Sequence, residues 1–131
     1  MTVIVLYLVT AAVFLVLDAL MLTFVISPMF RAELGEALLA APRLWAAGLF
    51  YLVYVGGLVY LVSLPALRNG APVILPALVL GAMAYGTYEF TNYATLRAWT
   101  VSMMATDFVW GTVLTAVSAW AGVAAARRLL G

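Results

Sequence analysis

The chain has 131 residues, 68% of them apolar and only 8% charged, and six basic against five acidic side chains leave a net charge of +1. A soluble domain carries about a quarter charged residues, so this chain cannot build a surface that faces water all round, and a lipid bilayer is its expected environment. It offers no basic patch for nucleic acid, no cysteine for disulfides or thiolate metal sites, and no histidine as metal ligand or general base near neutral pH.

A spanning helix needs about 20 mainly apolar residues. Four such stretches are predicted, at residues 3–26, 43–64, 73–96 and 103–126, giving an all-α, four-helix integral membrane bundle that occupies residues 1–131 as a single transmembrane domain. The first stretch is too long for the apolar core of a signal peptide and has no basic leader, so it is expected to be retained. Proline punctuates the pattern. Pro28 follows the first span, Pro42 precedes the second, Pro65 closes it and Pro72 opens the third, while Pro76 fits a first helical turn, where a missing N–H is tolerated.

The longest connection, residues 27–42, reads S-P-M-F-R-A-E-L-G-E-A-L-L-A-A-P. Ser27 suits a cap and Pro28 the first helical position. Met29, Phe30, Leu34, Ala37, Leu38 and Ala41 recur at helical spacing, with Arg31, Glu33 and Glu36 mostly off that stripe. The spacing predicts a short amphipathic helix between helices 1 and 2, over residues 27–41, lying at the interface or capping the bundle. An ordinary linker with one helical turn is the alternative.

Arginines divide evenly between the two ends, with Arg68, Arg127 and Arg128 on the side of the N-terminus and Arg31, Arg43 and Arg97 on the other. Counting bases therefore leaves orientation open. The clustered basic tail favours cytoplasmic termini in a bacterial inner membrane.

Three acids fall inside predicted spans: Asp18, Glu89 and Asp107. With alternating helix directions and a rise of about 1.5 Å per residue, all three lie within about 12 Å of one membrane face. Helical phase groups Tyr7, Ala11, Phe14, Asp18 and Leu22 on the first helix. It groups Tyr85, Tyr88, Glu89, Asn92 and Leu96 on the third, and Asp107, Trp110, Gly111, Leu114 and Ser118 on the fourth. A charge facing lipid at mid-helix costs about 2.5–3.5 kcal/mol on insertion scales. The acids are therefore expected to face one another in a buried pocket opening toward residues 27–42 and 97–102. No basic residue lies at their depth, and Arg97 is placed to snorkel to headgroups.

Intramembrane acids are most often functional. Asp18, Tyr85, Tyr88, Glu89, Asn92, Asp107 and Trp110 are accordingly the candidate ligand-binding or proton-linked residues. The plainer reading is that acids and tyrosines lock the helices together through interhelical hydrogen bonds. Three carboxylates suit a hard cation in principle, but no ligand spacing supports one, so neither metal nor cofactor is expected. Gly56, Gly57, Gly111, Ser118 and Gly122 are expected where helices approach closely.

The stretch Y-G-T-Y-E-F-T-N-Y-A-T-L-R-A-W, followed by D-F-V-W-G-T, resembles the bacterial membrane-protein family known as domain of unknown function 2177. The Leu17–Asp18 pair of the first helix also matches, and the resemblance covers nearly the whole chain. Members usually have Asp in place of Glu89 and Trp in place of Met21, which weakens any argument for an aromatic wall there. The resemblance implies a four-helix integral membrane protein and brings no activity with it.

Function divides three ways. The first is a small-molecule, lipid or proton-linked binding or transport protein using the buried carboxylates, with a small hydrophobic or lipid ligand among its partners. Four helices are too few to enclose a wide pathway, so transport implies a homo-oligomer. The second is a non-catalytic accessory subunit of a larger membrane complex. The third, an enzyme using Asp107 or Glu89 as general acid or base, lacks a nucleophile–base pair and a cofactor fingerprint, and a non-enzyme is the expectation.

Overall fold

In lipid every backbone N–H and C=O must be satisfied within the segment, and helices do this. The computed structural model describes residues 1–131, and they form four helices: α1 (Thr2–Ala37), α2 (Leu44–Asn69), α3 (Ile74–Thr95) and α4 (Val101–Leu130). The fold is an all-α membrane bundle. α1, α2 and α4 are each long and apolar enough to cross a membrane. α3 has the length, at 22 residues, but Tyr85, Tyr88, Glu89 and Asn92 in its second half dilute its apolar character.

α1 and α2 do not end where their prolines stand. Each passes through its proline by the same device, a single wide π turn placed just before it: Leu22–Ile26 ahead of Pro28 and Val59–Ser63 ahead of Pro65. The Ser27 N–H reaches back to the Leu22 carbonyl and the Leu64 N–H to the Val59 carbonyl, five residues in each case. A proline in a regular α-helix clashes with the carbonyl four residues before it and gives no N–H; a π turn widens the coil and displaces that carbonyl. Reading these two prolines as the ends of spans is thus corrected.

The helix expected after Ser27 is present over Ser27–Leu34, with a tight turn at Gly35–Ala37, but it continues α1 without a break. At about 1.5 Å per residue the 36-residue α1 is about 54 Å long, well beyond a hydrocarbon core of about 30 Å. Its last turns therefore emerge from the bilayer core. Gly70, with φ of 67°, takes the left-handed conformation that stops α2, and Gly35, with φ of 53°, ends the regular α-helical part of α1 before its last tight turn. Pro42 and Pro72 lie in the connections and Pro76 in the first turn of α3, as expected. At the start of α4 the Thr100 hydroxyl accepts the Met103 N–H at 3.1 Å.

α4 is the central element. It packs against α1 and α3 along much of their length and meets α2 at the π turn. Small residues bring the backbones together. A Cβ on Gly122 would collide with the Thr10 side chain of α1, one on Gly111 would fall within the Tyr85 ring of α3, and one on Gly81 would stand 2.9 Å from Thr115. Gly56 meets Tyr7 only at ordinary contact, 3.8 Å, and Gly57 faces outward with nothing near it, so its expected role in close approach is not met. Phe14, Leu6, Val55 and Leu114 are fully buried where α1, α2 and α4 converge.

Candidate functional site

Asp18 on α1, Glu89 on α3 and Asp107 on α4 lie together near the end of the bundle that carries residues 27–37 and the 96–100 connection. Asp18 is 4% exposed, Glu89 is fully buried and Asp107 is partly buried. Asp107 stands against Glu89 across the α3–α4 contact, with no hydrogen bond of regular geometry joining the two, and it lies within electrostatic range of Asp18.

Each buried acid is held by an indole. Trp110 Nε1 donates to Asp18 Oδ1 at 3.0 Å, and Trp99 Nε1 donates to Glu89 Oε1 at 2.9 Å. The second oxygens, Asp18 Oδ2 and Glu89 Oε2, are buried without a hydrogen-bond partner in the chain. Tyr51 of α2 lies beside Asp18, so all four helices contribute to the cluster. No arginine does. The only guanidinium with a hydrogen bond inside the protein is that of Arg127, which donates to the Ala66 carbonyl at 3.5 Å, at the opposite end. The three acids do not converge into a metal-ligand set.

The expected opening toward residues 27–42 and 97–102 is filled by aromatic rings. Trp99, 7% exposed, covers Glu89 and is itself flanked edge-on by Phe30 of α1 at 5.2 Å and by Tyr88 at 5.9 Å between ring centroids. Phe30 reaches this position because α1 continues past Pro28. Tyr88 is exposed over much of its surface, and Asn92 lies next to it. Both stand at the rim. Tyr85 lies deeper, over Gly111 and 6.3 Å from the Tyr54 ring, whose hydroxyl pairs with the Thr115 hydroxyl at 2.9 Å.

An apolar groove of about 440 Å³ runs on the outer surface between α1 and α4, lined by Met21, Ala105, Thr106, Val109, Trp110 and Val113. The carboxyls do not line it. Trp110 separates it from Asp18, with its indole in the groove and its N–H on the acid.

Asp18, Glu89, Asp107, Trp110 and Tyr85 are thus brought into one region, with Tyr88 and Asn92 at its edge. Sequence reasoning missed Trp99 and Tyr51 as members of the site. Trp99 lies in a connection, where helical phase carries no information, and its place at the end of the stretch that resembles the family was the signal available. Tyr51 and Tyr54, three apart in the otherwise apolar first half of α2, marked an edge of that helix with polar tips suited to the acids.

No match is found among curated proteins, and none among solved structures. The family model described as a predicted membrane protein, DUF2177, matches residues 3–124, and the chain belongs to that family.

Proposed function

We propose that this is a multi-pass membrane protein in which Asp18, Glu89 and Asp107 form a proton-linked or small-molecule binding site. One observation carries the reading: two enclosed carboxyls each commit one oxygen to an indole donor and hold the other without a partner. A buried polar atom left in this way costs about 1–3 kcal/mol, more if charged, and Asp107 adds a third carboxyl with no guanidinium near. A purely structural cluster would be better served by an apolar core. The missing counterpart is a proton or a small ligand with donor or cationic groups. The groove at Trp110 supplies an approach from the lipid, one indole away from Asp18.

In this reading α3 also crosses the bilayer, with its polar half shielded against α4. The termini face the cytoplasm of a bacterial cell, and passage of a ligand through the membrane requires more than one copy.

The test is infrared difference spectroscopy of the protein in lipid during a pH titration, following the carboxyl C=O stretch. A titrating band that disappears in Glu89→Gln or Asp107→Asn is expected. A spectrum in which no buried carboxyl responds to pH or to candidate ligands sinks the proposal.

A second reading, an accessory subunit of a larger membrane complex, draws on the first half of α2. Trp45, Leu49, Phe50 and Val53 are all more than half exposed, so this stretch is scarcely packed against the rest of the bundle. A stable complex recovered with a larger partner, and lost on Phe50→Ala, would favour it.

A further inference from the structure

The end of the bundle opposite the acids has a composition of its own. Arg127 reaches the Ala66 carbonyl, which places the end of α4 beside the end of α2 and gathers Arg68, Arg127 and Arg128 there. None of the five acids of the chain, Asp18, Glu33, Glu36, Glu89 and Asp107, falls in α2 or in the last twenty residues of α4. The guanidinium of Arg68 is exposed and makes no hydrogen bond within the chain. Next to it a groove of about 340 Å³ is lined by Tyr60, Leu61, Leu64, Pro65, Arg68 and Asn69.

Leu61, Leu64, Pro65 and Arg68 recur at steps of three and four and form one stripe of α2. Its upper end presents a cation and the Asn69 amide. Its lower end, about 10 Å deeper by the helical rise, is apolar, and Tyr60 and Leu61 there are 72% and 57% exposed. The notch begins within the π turn at Val59–Ser63, just before Pro65. The carbonyl end of a helix ordinarily disfavours an anion. Here the Arg127 guanidinium sits on the Ala66 carbonyl and offsets that field, which leaves the Arg68 charge for a partner outside the chain.

From this geometry we infer that the Tyr60–Asn69 notch of α2 is a binding site for one anionic glycerophospholipid, its phosphodiester on Arg68 and Asn69 and an acyl chain along Leu64, Pro65, Leu61 and Tyr60. Charge complementarity selects the headgroup, and the span itself places the apolar half of the notch among acyl chains. The inference is independent of the carboxyl cluster, since it uses none of its residues and lies at the other end.

Native mass spectrometry of the purified protein, titrated in detergent with phosphatidylglycerol or phosphatidylcholine, tests it. One phosphatidylglycerol is expected to bind in preference to phosphatidylcholine. Arg68→Gln should weaken that adduct on the order of fivefold, the effect of about one basic residue at a lipid surface. Arg68→Lys should largely retain it, and Arg43→Gln, at the opposite end, should leave it unchanged. Because Arg68 has no bond within the chain, the Gln variant should melt in neutral detergent as the parent does. Equal binding of both lipids, an adduct indifferent to Arg68→Gln, or a second copy of the chain seated on the notch would each overturn the assignment.

Discussion

Trp99 stands on Glu89, with its indole N–H 2.9 Å from one carboxylate oxygen and its ring closing the bundle end above the acid. Replacing it with phenylalanine removes the donor and, with the second ring, part of the buried cover over Glu89. Trp99→Phe is expected to destabilise the protein by about 1–3 kcal/mol, the cost of leaving a buried polar group unpaired, read as a lower melting temperature in detergent. An unchanged melting temperature would mean that Glu89 finds another donor, with Asp107 the nearest candidate.

Glu89→Gln and Asp107→Asn separate charge from packing. The amides keep the size of the acids, and the amide oxygen introduced by Glu89→Gln would still accept the Trp99 N–H. Neighbouring carboxyls without a countercharge gain nothing structural from being acidic. Both variants are therefore expected to melt at or above the parent temperature while losing the titrating carboxyl band. A clear loss of stability in both would make the acids structural.

The contacts of α4 give a third expectation. Gly122→Leu should be strongly destabilising, because even a Cβ there collides with Thr10, whereas Gly57→Leu, with open space around it, should be nearly neutral. Overpacking of this kind costs about 1–3 kcal/mol or more. Thermal melting of the two variants side by side checks it, and equal effects would argue against the α1–α4 contact.

Gly111→Ala should be destabilising for a different partner, the Tyr85 ring. The penalty should fall markedly when Tyr85 is first replaced by alanine, which makes room for the added methyl. A double-mutant cycle on melting free energies would show this coupling. Additive effects would place the strain elsewhere.

Much of this was legible in the sequence, for identifiable reasons. Phase at about 100° per residue correctly put Ala11, Phe14 and Asp18 on a buried face of α1, and Gly111, Leu114 and Ser118 on one of α4, because those stretches are regular α-helix. The reading failed where regularity failed. Pro28 and Pro65 suggest termini, since the π turns that carry the helices through them have no sequence signature beyond the proline itself. The lid of Trp99 and Phe30 depends on that continuation of α1, so an open pocket was expected where rings are packed. Gly57 illustrates a further limit: composition marks small residues but not which side of a helix faces a neighbour.

Each π turn also holds one residue more than an α turn would need to cover the same rotation. Downstream of Leu22–Ile26 every side chain of α1 is consequently out of step, by about 100°, with the numbering of Asp18 and Phe14. Phe30 meets Trp99 only in this shifted phase. If Pro28 were replaced and the turn relaxed to an even α pitch with all its residues kept, Phe30 would swing by about 100° off the indole, leaving Asp18 untouched and Glu89 less well sealed. Access to a carboxyl on α3 is in this sense geared to the pitch of a turn on α1, and a change at Pro28 that lets the turn relax would alter the site without changing any acid or indole in it.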